Sequence, residues 1–164
     1  MSEQVVGDPL KFARGRQSLE GNLAVASMVR LKDGLASDVG KVEYRLIGFL
    51  NEVGAPCLRC QVSGTLKMIC QRCLEPMDYA LNVDSVLLLT TDASLLQNDD
   101  PEAPDVILAQ QDLPVADLVE EEILLVLPMA PLHSAGECKA VSALSETGKL
   151  HPFAALARLK SDKE

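Results

Sequence analysis

Tryptophan is missing from the chain, tyrosine occurs twice and phenylalanine three times. An interface built on large aromatic anchors is therefore excluded, and the core must be assembled from Leu, Val, Ile, Met and Ala. Histidine is almost as scarce, with His133 and His151 alone. No Ser-His-Asp order and no glycine-rich phosphate loop is present, so the common nucleophilic and nucleotide-binding chemistries are not encoded. The chain is expected not to be an enzyme. Positive charge is also short: 15 Lys and Arg stand against 24 Asp and Glu, a net charge of −9. Affinity for nucleic acid comes mainly from cations neutralising phosphates, so tight binding through overall charge is excluded. The basic residues that come closest to a patch are Lys11, Arg14 and Arg16 near the start and Arg158, Lys160 and Lys163 at the end.

Long apolar runs are absent as well. The longest, Ile123–Leu127, falls far below the roughly 18–20 residues needed to span a bilayer. The opening Met1-Ser2-Glu3-Gln4 has no basic segment followed by an apolar stretch, so no secretory signal is expected. The expectation is a cytoplasmic protein without membrane contact.

What remains is 164 residues with 48 % apolar side chains, the size and composition of one globular domain spanning 1–164. Residues 8–21 open with Asp8-Pro9 and read as a short helix or turn closed by Gly15 or Gly21, with Leu10 and Phe12 turned inward. Small apolar residues from Leu23 to Val29 suggest a strand, and Lys32–Gly40 a loop. Val42–Phe49 alternates cleanly. From Leu58 to Cys70 the even positions are Leu, Cys, Val, Gly, Leu, Met and Cys, while the odd ones are mostly polar. That is one half-buried strand, long enough to expect a bulge near Gly64. Tyr79–Thr90 alternates again. Asp92–Asp105 carries five acidic residues and two prolines and reads as a mobile acidic loop. Asp112–Leu127 reads as a helix capped by Asp112 and stopped by Pro128, with Val115, Val119, Ile123, Val126 and Leu127 on its apolar stripe and Glu120–Glu122 on a solvated face. His151–Lys160 reads as a short closing helix with Phe153 and Leu156 inward. The fold class is α+β: an antiparallel sheet or partly closed barrel of several strands, followed by one main helix and a short C-terminal one.

Five cysteines is an odd number, and four of them form Cys-x-x-Cys pairs, Cys57/Cys60 and Cys70/Cys73. In a chain without a secretory signal this spacing points to metal or free thiols rather than disulfides. A redox dithiol belongs at a helix start in an α/β pattern, which is not found here. Two metal sets compete. A four-cysteine ribbon of Cys57, Cys60, Cys70 and Cys73 requires a reversal at Ser63-Gly64, which would place Gln61 beside Leu66 and Arg59 beside Met68. A continuous strand instead separates Cys60 from Cys70 by roughly 33 Å and leaves Cys57 and Cys60 as small buried hydrophobes. In the second set Cys70 and Cys73 sit on a knuckle at the strand end and are joined by His133 and Cys138, five residues apart in a loop. That Cys₃His set would hold one structural zinc.

Three stretches in order resemble the YceD family: CQRCLEP at 70–76, VEEEILLVLPMAPLHSAGEC at 119–138 and HPFAALARLK at 151–160. DPLKFARG at 8–15 and Leu19-Glu20-Gly21 resemble the family's opening. His151 stands where members commonly carry Asn, His133 stands at about the first of two loop cysteines, and Cys57 and Cys60 match none of the family's motifs. The resemblance implies a small soluble accessory factor supporting accumulation of large-subunit (23S) ribosomal RNA, without catalysis. The charge then implies that RNA is reached through a protein partner, a pre-ribosomal large-subunit particle or a locally basic face. The alternative is a zinc- or thiol-containing protein-interaction module that regulates another pathway without touching RNA.

Overall fold

The computed structural model describes residues 4–97, 105–109 and 112–138. In chain order these form β1 (Val5–Val6), α1 (Pro9–Arg14), β2 (Ser18–Ala24), β3 (Leu35–Ser37), β4 (Lys41–Leu50), β5 (Pro56–Ile69), β6 (Pro76–Thr90), β7 (Asp105–Leu108), β8 (Leu113–Pro114) and α2 (Val115–Val126). The main sheet runs β2-β4-β5-β6-β7, and its ends do not meet, so it stays open and the α+β expectation holds without a closed barrel. β2, β4, β5 and β6 are antiparallel, whereas β7 lies parallel to β6. β1 and β8 form a separate two-stranded ribbon.

The alternation along β4, β5 and β6 decides which face is buried. Val42, Tyr44, Leu46, Leu58, Cys60, Val62, Leu66, Leu81, Val83, Leu87 and Leu89 turn to one side and form the core. Glu43, Arg45, Arg59, Ser63, Lys67, Asn82 and Asp84 face solvent on the other. There Arg59 donates both guanidinium bonds to Asp84 at 2.6 Å, and Lys67 pairs with Asp78. Both helices cover the apolar face, α1 over β4 and β5, α2 over β5 and β6.

β5 is one unbroken strand. Its register with β6 runs without a shift from Cys57↔Leu88 to Ile69↔Pro76, so the bulge expected at Gly64 does not form and the hairpin at Ser63-Gly64 is excluded. Glycine stands there because a Cβ would press on Val42 Cγ1 at 3.1 Å and Lys41 O at 3.3 Å. β4 covers the edge of β5 only from Pro56 to Gly64. The bare remainder is taken by β3, which pairs at Leu35↔Met68 and Ser37↔Lys67 inside the segment expected to be a loop.

Other boundaries move for similar reasons. The first long strand lies at Ser18–Ala24 rather than 23–29, because its partner β4 begins at Lys41, opposite Ala24. Val25 and Met28 then leave the sheet and fold over the core, each 1 % exposed. α2 starts at Val115, not Asp112. Asp112 has φ 62 and makes a turn that lets Leu113-Pro114 pair with β1, so it cannot cap the helix. Within α2, Leu118 joins the buried stripe and Val126 is 42 % exposed.

α1 forms as expected. Asp8 Oδ1 accepts the Lys11 N–H at 2.9 Å as N-cap, and Phe12 is buried. Gly48 is its seat: a Cβ there would lie 2.7 Å from Ala13 Cα and Phe12 O. At the other end Gln17 N donates to Phe12 O and Arg16 N to Ala13 O, both 3.1 Å. This 6→1 and 5→2 pattern closes the helix on one left-handed residue. That residue is Arg16, φ 49, and not the neighbouring Gly15, φ −78.

The acidic run of α2 is not a solvated face. Glu120 and Glu122 are buried at 6 % and 5 % exposure, and only Glu121 is exposed. Glu120 Oε1 accepts the N–H groups of Arg30 (2.6 Å) and Leu31 (3.1 Å), and so pins the segment after β2 to α2. Part of the acidic segment is ordered as a 3-10 turn at Ala93–Gln97 and as β7. Residues 98–104 and the expected closing helix at 151–160 lie outside the described residues. Among the described residues no helix is long and apolar enough to cross a membrane.

Candidate metal centre

β5 and β6 are joined by residues 70–75, and that connection is the knuckle. Cys70 N donates to Glu75 O at 3.0 Å and Leu74 N to Cys70 O at 2.8 Å. Leu74 completes the reversal in a left-handed conformation, φ 61, with its side chain 72 % exposed. Cys70 keeps the inward parity of β5 and is fully buried, while Cys73 is half-buried. After α2, Leu127-Pro128 ends the helix and the chain runs back across the knuckle. Gln71 N donates to Pro131 O at 2.9 Å, and His133 N donates to Cys70 Sγ at 3.4 Å.

This crossing brings Cys70, Cys73, His133 and Cys138 together, with all four ligand atoms within 4.8 Å of one another. Cys70 Sγ lies 3.8 Å from Cys138 Sγ, Cys73 Sγ 3.3 Å from His133 Nδ1, and Cys138 Sγ 3.7 Å from the same nitrogen. A tetrahedral ion with zinc's bond lengths would set sulfur–sulfur edges of about 3.8 Å and sulfur–nitrogen edges of about 3.6 Å. The donor set fits a Zn²⁺-sized ion in both chemistry and spacing.

The electrostatics fit too. Burial raises the Cys70 thiol, but the N–H groups of His133, Cys73 and Arg72, with the Cys73 thiol, outweigh it and bring it down to about 5. Cys73 moves the other way: the Glu75 N–H lowers it, but burial and the Cys138 and Cys70 sulfurs raise it above the usual thiol range. The Cys70 thiolate is thus favoured while a thiolate at Cys73 is disfavoured. A cation at the centre of the cluster removes that conflict. Arg72 serves the same end, donating from Nε to Cys138 Sγ at 3.0 Å and from Nη2 to His133 O at 2.9 Å.

The second Cys-x-x-Cys pair is elsewhere. Cys57 and Cys60 are buried at 3 % and 0 % exposure, Cys60 within the core between sheet and α2, and neither joins the cluster. Desolvation, with Glu122 and Asp84, pushes the Cys60 thiol up to about 12, so it stays protonated and inert. The ribbon set of Cys57, Cys60, Cys70 and Cys73 is not assembled. Arg72 escaped the sequence reading, although its place between the two knuckle cysteines was a usable signal.

The family model described as "Large ribosomal RNA subunit accumulation protein YceD" matches residues 58–160, more than half of the chain and the whole of the cluster. A curated protein of Haemophilus influenzae named "Large ribosomal RNA subunit accumulation protein YceD" is 27 % identical over 164 residues, covering 93 % of each chain. No solved structure matches.

Proposed function

The chain belongs to the YceD family, and on that premise we propose that it is a non-enzymatic cytoplasmic accessory factor supporting accumulation of large-subunit ribosomal RNA, its fold clamped by one structural zinc ion at Cys70, Cys73, His133 and Cys138. The observation that carries the reading is the family match over residues 58–160, which takes in β5 from Leu58 onward, the knuckle, α2 and all four ligands. Four protein ligands close a tetrahedral site and leave no position for substrate or water, which is the arrangement of structural rather than catalytic zinc. When bound, zinc supplies a cross-link between the β5–β6 knuckle and the loop after α2. Cys70 and Cys73 fix one side, His133 and Cys138 the other, and Arg72 neutralises excess thiolate charge.

The partner in this reading is a precursor of the large ribosomal subunit. Gradient sedimentation of cell extracts tests it: the protein co-migrates with large-subunit precursors in a salt-sensitive way, and its loss lowers large-subunit RNA relative to small-subunit RNA. Protein that stays at the top of the gradient, with unchanged RNA ratios, contradicts the proposal. A second reading is favoured by the apolar side chains left in solvent on and after α2 and on the knuckle, Leu125 (71 %), Met129 (103 %), Leu132 (51 %) and Leu74. In it the protein is an interaction module that docks a protein partner there and reaches ribosomal RNA only indirectly. Leu132→Asp with Met129→Asp would then abolish the RNA phenotype while leaving the metal in place.

A further inference from the structure

We infer that the exposed cations of α1 and its C-terminal turn, Lys11, Arg14 and Arg16, form a contact surface for RNA phosphates; the inference rests on the ribosomal reading above. All three are exposed. Among the described residues the ion pairs are Arg30–Glu120, Arg59–Asp84 and Lys67–Asp78, so none of the three cations is committed to a carboxylate of that set. They are held in a fixed relation. Lys11 and Arg14 stand one turn apart on α1, and the buried Phe12 and Ala13 lock the helix to the Gly48 seat. An acidic molecule approaches phosphate only through such a local surface, because its overall charge repels at long range while contact is governed within about a Debye length.

Arg16 is the observation that separates this from ordinary surface charge. It occupies the left-handed position of the helix-closing motif, where glycine is favoured and a residue with a Cβ carries a conformational cost. The helix dipole does not account for it. α1 has only six residues, and Lys11 and Arg14 already supply cations to its last turn. A guanidinium held there at a conformational cost, beside two cations that have no ion-pair partner among the described residues, points to a residue that acts through what it touches. Its planar fork suits phosphate oxygens. The absence of aromatic side chains from the cluster fits contact with the phosphate backbone rather than with bases.

The test is filter binding of the full-length, metal-replete protein to transcribed large-subunit ribosomal RNA across a salt series. The wild type binds. Lys11→Gln/Arg14→Gln/Arg16→Gln loses at least about tenfold in affinity near 0.1 M salt, and its log K against log[salt] slope falls by about 2–3. Arg16→Gly alone lowers the slope by about one while raising Tm by about 2–5 °C, since it relieves the left-handed strain. That pairing of better stability with weaker binding is what a purely structural Arg16 would not produce. Lys41→Gln, at the other end of β4 from Gly48 and so roughly 23 Å away, leaves the slope unchanged. Equal affinities and slopes for wild type and triple variant overturn the inference. So does a wild type that fails to bind RNA yet still sediments with large-subunit precursors; the cluster then meets an acidic protein surface, and the ribosomal reading stands. A protein that does neither removes the ribosomal reading itself.

Discussion

Two single residues carry more than their sequence context advertises. Arg72 links two sides of the candidate metal centre through Cys138 Sγ and His133 O. Arg72→Met is expected to keep the four ligands but to release zinc to a chelator about tenfold faster, in line with the 10–100-fold cost of losing an outer-shell partner. Arg72→Lys restores the charge without the fork, so its release rate falls between the two; a rate equal to wild type in both variants contradicts the role. Glu122 acts in the opposite sense, since its burial against Cys60 and Ser85 raises its carboxyl above the ordinary value of 4.5, with Asp105 and Glu121 adding to the rise and Ser85 opposing it. A carboxyl raised in the folded state favours protonation there. Its contribution is therefore best below 4.5 and is lost as pH climbs through the folded value, leaving a penalty at neutrality. Glu122→Gln should raise Tm by about 2–4 °C at pH 7 and lose that advantage as pH falls toward 4. Thermal melts of the two proteins across pH check the difference, in which any acid effect on the metal is common to both. Arg72 and Glu122 were legible as letters but not as roles, because each role is set by a chain crossing from more than thirty residues away.

At the scale of elements, long alternating strands were readable because their period of two is imposed by burial on one face. Val42–Phe49 and Leu58–Cys70 became β4 and β5 almost unchanged. Short elements were not, because their existence depends on a partner: β3 fills the edge that β4 leaves bare, and Leu113-Pro114 is drawn from the helix into β8 by β1. The same dependence makes two contacts testable. Glu120→Ala leaves the buried Leu31 N–H and the Arg30 N–H without their acceptor and should cost about 2–4 kcal/mol in denaturant melts. Most of that is the N–H pair, since Arg30 is half exposed and its ion pair is screened. Gly48→Ala forces a methyl into the backbone of α1 and should cost about 2–4 kcal/mol, with loss of the RNA-binding slope if α1 is displaced.

On the scale of the whole molecule, the candidate metal centre brings together the far turn of the sheet and the exit of α2. Two ligand sets were open from sequence; the continuous β5 removes the ribbon set, and the four groups whose ligand atoms come together are Cys70, Cys73, His133 and Cys138. The crossing that delivers His133 and Cys138 to the knuckle depends on the tertiary path after Pro128, which no local pattern encodes. Because metal affinity becomes folding free energy, removing the ion should destabilise the domain as a unit, while the buried Cys57 and Cys60 contribute only packing. The most direct test is zinc per chain by elemental analysis, on untagged protein purified without chelators, for the wild type, Cys70→Ser/Cys73→Ser and Cys57→Ala/Cys60→Ala. One zinc per chain in the wild type and in Cys57→Ala/Cys60→Ala, none in Cys70→Ser/Cys73→Ser, and a Tm lowered on the order of 10 °C in the latter is the predicted result. No zinc in the wild type, or equal loss from both double variants, would contradict it.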